Sequence, residues 1–370
     1  MKISILLPYK ENFSSKYAGA VSLFVNDTTV HSKYRKSISV FGHTKYKSKL
    51  LTNYINLDIK KNILQSNNKI YVEKFLDYEK INPSDLIEIH NRPNYVKFLS
   101  KGTSSKLILY FHNDPLTMNG SKSLIERKDL LNITHKLIFN SKWSRDRFVQ
   151  GFNNFDLLKD KLIVIYQSAK KVKINFNKKK KIISFVGKLN SAKGYDLFGS
   201  AIIKILNKYN NWKAIVIGDE PREKHIFHHK NLKNLGFKPH KFVLNNFNTV
   251  SISVVCSRWE EPFGRTSLEA SSRGCALIIS NKGGLPETTN HALILKKLTS
   301  EEVFSKIDFL IKNTNKRKLL QRNNYNSFKF THEYITTLQD NVRSDVLKPN
   351  IFFLNKINKN TKFKILHITN

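Results

Sequence analysis

The chain has 370 residues, 40% apolar and 25% charged, with 64 Lys and Arg against 28 Asp and Glu for a formal charge of +36. That apolar content supports a sizeable core and excludes wholesale disorder, and the length favours two domains, because single cores stop growing near ~250–300 residues. No apolar run approaches the ~20 residues of a membrane-spanning helix. The opening stretch, broken by Pro8, is too short for a secretory signal, and Cys256 and Cys275 make neither a disulfide framework nor a zinc site. The expectation is a soluble, cytoplasmic, two-domain protein.

In chain order, short apolar runs at 2–8, 37–41, 70–72, 85–90, 107–112, 136–139 and 162–166 predict strands. Runs this continuously apolar suit parallel strands covered on both faces. Segments 20–26 and 121–132 between them are long enough for crossover helices. Residues 167–181 break the pattern with Lys and Asn, making 171–181 the expected linker between a domain at 1–170 and a second at 182–335. The alternation then restarts, with strands at 182–186, 214–217, 250–256 and 276–280 and helices at 195–207 and 268–273. Strand–helix alternation in both halves predicts an α/β protein of two doubly wound sheets with its ligand site in the cleft between them. Residues 336–370 read as a C-terminal helix and tail, with 363–368 resembling one more strand.

The positive charge is spread along the chain, densest at Lys178, Lys179, Lys180 and Lys181. Such a field attracts phosphates on nucleic acid, anionic lipid or charged glycan. Richness in Lys, Asn and Ile is also what a compositional bias alone produces. No zinc-finger spacing or RNA-recognition signature accompanies the charge, which demotes nucleic acid as a partner. An anionic membrane surface stays open, at roughly 1 kcal/mol per nearby basic residue.

Three loops of the second half follow predicted strand ends. The first, Gly187-Lys188-Leu189-Asn190-Ser191-Ala192-Lys193-Gly194, has glycines for close backbone approach and two lysines able to flank one anion. The second, Glu260-Glu261-Pro262-Phe263-Gly264-Arg265-Thr266-Ser267-Leu268-Glu269, stops a strand and starts a helix whose free N–H groups favour an anion. Were that stretch all helical, Glu261 and Glu269 would stand ~12 Å apart, too far for an acid/base pair. The third, Asn281-Lys282-Gly283-Gly284-Leu285-Pro286-Glu287, is a rigid turn.

Occurring in this order, the three loops resemble the family 4 retaining glycosyltransferases, whose GT-B architecture sets two Rossmann-like domains face to face. The match is strongest over 181–287. The resemblance implies that Lys193 and Lys188 hold the diphosphate of a nucleotide-sugar donor, with Lys188 standing where Arg is commoner. It implies that Glu261 faces the transferred sugar and stabilises developing oxocarbenium charge, while Glu269 binds the donor ribose. The backbone of Phe263, Gly264 and Arg265 would cap sugar and diphosphate. It also implies a front-face route in which the departing diphosphate takes the acceptor's proton, so no general base and no cofactor is expected. No Asp-x-Asp occurs, which leaves the metal-dependent GT-A alternative without support.

In the first half, Gly19 resembles part of that family's glycine loop, and His112 stands at a strand end where members carry a cleft histidine that touches the donor sugar or orients the acceptor. Asn140-Ser141-Lys142-Trp143-Ser144 is similar to a strand-end segment of the same enzymes, whereas His90 reads as structural. Asp114, Lys122 and Arg127 are candidate contacts for a glycan or lipid-linked acceptor, and His225, His228 and His229 lack the partners for a metal site. The expected activity is transfer of a hexose-type sugar in cell-envelope or lipopolysaccharide synthesis, at the inner face of the cytoplasmic membrane if peripheral. A sugar phosphorylase, an epimerase or a basic nucleic-acid-binding protein are the competing readings.

Overall fold

A computed structural model describes residues 1–59, 65–153 and 158–348. The first domain runs β1 (Ile3–Leu6), α1 (Ala20–His31), β2 (Ile38–Gly42), β3 (Tyr54–Asn56), α2 (Asn67–Ile81), β4 (Leu86–His90), α3 (Pro93–Gly102), β5 (Lys106–Phe111), α4 (Leu124–Ile133), β6 (Lys136–Phe139), α5 (Lys142–Phe148) and β7 (Leu162–Val164). The second runs β8 (Lys180–Val186), α6 (Tyr195–Lys208), β9 (Lys213–Ile217), β10 (Leu232–Asn234), α7 (His240–Phe247), β11 (Val250–Val255), α8 (Arg265–Ser272), β12 (Ala276–Ser280), β13 (Ala292–Leu295), α9 (Ser300–Lys312) and α10 (Thr314–Asn326), followed by α11 (His332–Leu347).

The strands form two parallel sheets, in the orders β3-β2-β1-β4-β5-β6-β7 and β10-β9-β8-β11-β12-β13. Both are doubly wound, reversing direction between β1 and β4 and between β8 and β11. The central strands are fully buried, Leu86–His90 and Ala276–Ser280 along their whole lengths, which is why they read as largely apolar runs, the first interrupted by Glu88. Two facing Rossmann-like domains are therefore present, as the loop resemblance implies.

One expected strand is a helix. Residues 70–72 lie inside α2, where Ser66 caps the N-terminus by accepting from the Lys69 N–H. Tyr71, Phe75 and Glu79 recur every four residues on its buried face. A three-residue apolar run does not separate strand from buried helix; the four-residue repeat does.

The basic linker is also shorter than its composition suggests. Lys180 and Lys181 already belong to β8. The Lys179 ammonium donates to three backbone carbonyls, of Phe247 at 2.8 Å, Val250 at 2.9 Å and Arg273 at 2.7 Å. Burial pulls its pKa below the ordinary lysine value. One member of the densest charge run is thus a structural clasp.

The chain ends its described course back on the first domain. Helix α11 packs along α1, and Phe328, Phe330, Ile335, Val342 and Val346 join that domain's core. Arg343, with no exposed surface, forks onto Glu88 at 2.7 and 2.8 Å and onto Asp340 at 2.9 Å. Asp340 in turn accepts from the Ser32 hydroxyl and the Lys33 N–H. The segment expected to be a helix and tail of open placement begins as a strap tying the first domain's helix layer, from His332. The expected strand at 363–368 lies outside the described residues.

Candidate active site

The two sheets aim their carboxyl ends at a shared cleft, and at the β8/β11 switch point it holds a cavity of about 310 Å³. Ala20, His112, Asn113, Asn140 and Gln167 of the first domain line it, facing Gly187, Lys193, Trp259, Glu261, Phe263, Gly264, Arg265 and Thr266 of the second. Open α/β sheets bind ligands at such crevices because the strand order there leaves two loops diverging.

The first loop leaves β8 at Gly187 and turns through a single 3-10 turn at Ser191–Lys193 into α6. Gly194 has φ +73°, and a Cβ there would fall 2.0 Å from the Cys256 carbonyl oxygen, so only glycine fits. Arg258 holds the loop from outside, with 2.7 Å bonds to both Asp196 oxygens and to the Ser191 carbonyl. This delivers the Lys193 ammonium to 2.5 Å from Glu261 Oε1, inside the cavity. Lys188 is exposed and stands outside the lining.

The second loop is not helical between its two glutamates. Helix α8 starts only at Arg265, after Gly264 with φ +110° and no side-chain cap. Its first turn therefore keeps free N–H groups at the cavity wall formed by Gly264, Arg265 and Thr266. Phe263 contributes backbone to that wall while its ring packs against Tyr166 and Phe330.

Glu269, one turn in, is buried and does not line the cavity. Its Oε1 accepts from Arg265 Nε at 2.6 Å and from His240 Nε2 at 2.7 Å. Burial alone raises its pKa, but the Arg265 and His240 charges and bonds outweigh that and hold it below the ordinary carboxylate range. Arg265 is also drawn towards Asp27 of α1, 3.4 Å away. The two conspicuous acids thus differ in position, Glu261 at the cavity and Glu269 behind an arginine. His240 was invisible to sequence reasoning, since a lone histidine at a helix start carries no spacing signal.

The third loop does a different job. Glu287 caps the N-terminus of α5 in the opposite domain, accepting from the Lys142 N–H at 2.8 Å and the Trp143 N–H at 2.9 Å. A Cβ on Gly284 would meet the Pro262 carbonyl at 2.5 Å and Ser141 at 2.7 Å. Gly284 thus lets the two domains touch, while Gly283 passes close to the Glu261 backbone of its own domain.

From the first domain, His112 is buried against the cavity with Nε2 3.0 Å from His90 Nδ1. Burial drops the His112 pKa to about 3 and that of His90 well below its ordinary value. Both rings are neutral. His112 Nδ1, Asn140 Oδ1, Gln167 Oε1 and Arg265 Nη1 are all buried, belong to residues lining this cavity, and have no partner among the described residues. Buried polar atoms are rarely left so.

Gly19 precedes α1 beside Ala20 of the lining, and a Cβ on it would meet Glu11 Oε1 at 2.5 Å. The proposed acceptor residues are not assembled into one surface. Asp114 is buried and paired bidentately with Arg147. Arg127 is corrected from a ligand contact to an internal brace: it is buried, and its guanidinium donates to the carbonyls of Phe148 and Gln150 (2.7 Å to the latter). The helix Leu124–Ile133 turns Arg127 inward with Leu130 and Leu131. Of the three, only Lys122 is exposed.

Residues 167–327 match the family model described as glycosyl transferases group 1. The chain is 22% identical over 347 residues to the putative glycosyltransferase YtcC of Bacillus subtilis, covering 83% of this chain and 82% of the relative. Among solved structures it superposes on HepE of Anabaena in complex with UDP-glucose with a TM-score of 0.72 at 17% identity, covering 93% of this chain and 100% of that one. WaaG, a glycosyltransferase involved in lipopolysaccharide biosynthesis, gives a TM-score of 0.66 at 12% identity over 92% of this chain and 99% of that one.

Proposed function

We propose, for a chain that is a GT-B glycosyltransferase carrying a group 1 domain over residues 167–327, that it moves a hexose-type sugar from a nucleotide diphosphate donor to a glycan or glycolipid hydroxyl with retention of configuration. The observation that supports this most is the set of four orphaned polar atoms around one interdomain cavity, His112 Nδ1, Asn140 Oδ1, Gln167 Oε1 and Arg265 Nη1. They mix donors and acceptors, as a ring of sugar hydroxyls requires.

On this reading Lys193 and the free N–H groups of α8 take the diphosphate, neutralising the leaving group without a metal ion. Lys193 then leaves Glu261, whose carboxylate is freed to face the anomeric centre and stabilise positive charge there. Glu269 fixes the Arg265 guanidinium, and the departing diphosphate accepts the proton of the attacking hydroxyl. A relative solved with UDP-glucose supports a nucleoside diphosphate hexose as donor.

A peripheral position on an anionic membrane is part of the same proposal. Phe98 on α3 and Ile125 on the neighbouring α4 are exposed, with Lys97, Lys101, Lys122 and Lys128 exposed beside them in sequence. Salt-sensitive flotation with phosphatidylglycerol vesicles is expected, and its absence would remove this clause alone.

The decisive experiment is calorimetry with UDP, GDP and ADP, followed by a nucleotide-sugar panel scored for released diphosphate. One nucleotide is expected to bind the wild type and to lose at least tenfold in affinity in Lys193→Ala. No heat with any nucleoside diphosphate would end the proposal.

A further inference from the structure

A second pocket, of about 380 Å³, opens on the first domain beside the cavity and shares one wall residue with it, Asn113, next in sequence to His112. Its lining is chemically narrow: Asn68, Asn91, Asn94, Asn113 and Asn119 surround Arg92, with no carboxylate among the lining residues. The wall is built rather than incidental. Gly120, with φ +92°, sits where a Cβ would meet the Asn94 backbone nitrogen at 2.6 Å, pressing the 117–120 turn against the start of α3.

Donors outnumber acceptors on this surface. Asn68 Oδ1 is occupied by the Tyr95 hydroxyl at 2.7 Å, and Asn91 Oδ1 by the His112 N–H at 3.1 Å. The Nδ2 groups of both bond to no other described residue. Arg92 is partly buried and spends Nη1 on the Asn91 carbonyl at 2.7 Å. Among the described residues it has no carboxylate partner, unlike Arg147, Arg258, Arg265 and Arg343, each of which has one. A guanidinium in a concave, amide-lined site without a counter-charge leaves that charge to be supplied by the ligand.

We propose that this asparagine-lined pocket holds the acceptor, and that Arg92 selects an acceptor sugar bearing an anionic group, a carboxylate or a phosphate. The inference rests on the glycosyl-transfer reading of the adjoining cavity. An acceptor hydroxyl must reach the donor's anomeric carbon, and a pocket sharing Asn113 with the donor cavity brings the two substrates edge to edge. The carboxamides serve the neutral hydroxyls, each able to give and take hydrogen bonds. Arg92 carries no motif and is not among the acceptor contacts expected from the sequence, Asp114, Lys122 and Arg127. The site is visible only because β4 and β5 are neighbours and end side by side.

The test uses saturation-transfer NMR on the full chain with three probes: methyl glucuronide for the carboxylate arm, glucose 6-phosphate for the phosphate arm and methyl glucoside as the neutral control. Wild type is expected to bind at least one anionic probe more tightly than the neutral one. Arg92→Gln should weaken that anionic probe about tenfold and leave the neutral probe unchanged. Asn119→Asp, an exposed position that adds a carboxylate beside Arg92, should produce the same selective loss should Arg92→Gln fold poorly. Equal binding of neutral and anionic probes, or anionic binding indifferent to both substitutions, overturns the inference. UDP calorimetry on the same variants separates the two ideas. Retained UDP binding with Arg92-independent probes sinks the acceptor site alone, whereas Arg92-dependent probe binding without any nucleotide binding upholds the pocket and sinks the donor reading.

Discussion

His90 Nδ1 and His112 Nε2 lie 3.0 Å apart, and the outer nitrogen of each ring is buried without a partner among the described residues. Two neutral imidazoles sharing one hydrogen bond must place the proton on one side of it. Burial first, and then the neighbouring His112 and the Arg343 charge, disfavour positive charge on His90. The expected arrangement has His90 donate through Nδ1–H, which leaves His112 Nε2 accepting and its own proton on Nδ1, at the cavity. In that arrangement a residue first read as structural selects which nitrogen of the cleft histidine is protonated.

That arrangement has a direct check. His90→Asn retains an N–H near the Nδ1 position and should keep most of the transfer rate. His90→Phe removes the bond and should lower kcat/KM about tenfold, the worth of roughly one hydrogen bond. Nitrogen-15 shifts of the His112 ring should report the Nδ1–H form in wild type and His90→Asn and a mixture in His90→Phe. An Nε2–H form in wild type would reverse the assigned direction.

Glu269 is the common acceptor for Arg265 and His240. In Glu269→Ala, Arg265 keeps only its longer contact to Asp27 and loses its fixed aim. Turnover is expected to fall at least 100-fold, about 2.7 kcal/mol of transition-state stabilisation, with the far-ultraviolet circular dichroism unchanged. Glu269→Gln, still able to accept one bond, should recover part of the loss.

Arg343 is a stability prediction rather than a catalytic one. Arg343→Leu leaves Glu88, which has no exposed surface, as an unpaired buried charge. Removing one partner of such a pair costs about 3–5 kcal/mol. Urea unfolding should show that loss, and α11 amides should exchange faster, while UDP affinity is retained.

Acid should weaken the fold in a defined window. His112 binds its proton near pH 3 when folded and near the ordinary 6.5 when unfolded. Between those values the unfolded chain takes up more protons, so its contribution is fully present above pH 6.5 and is lost as pH falls towards 3. The slope approaches ~1.4 kcal/mol per pH unit for one such group. His90, shifted the same way, steepens it. Unfolding free energies at pH 4, 5, 6 and 7 should show this decline, and His112→Gln should flatten it by about one proton.

Much of this molecule is written locally. The buried strands announce themselves because a strand covered on both faces is largely apolar, and the glycines at 194, 264 and 284 mark places where loops pass too close for a Cβ. The apolar runs are a local signal and the glycines stand in short motifs after strand ends, so the two-sheet architecture and the three loops of the second domain were legible in the sequence, although the segments those glycines meet were not. Contacts between distant segments left no such trace. Residues 70–72 resembled a strand until the Ser66 cap and the buried face of α2 defined a helix. Arg127 resembled a surface cation until the carbonyls of Phe148 and Gln150 enclosed it. The pairing of Glu269 with His240, the bond between His90 and His112, and the isolation of Arg92 among asparagines each depend on which loops the folded sheets bring together. Side-chain identity limits what a residue can do, but burial and the partners supplied by folding decide which of those things it does.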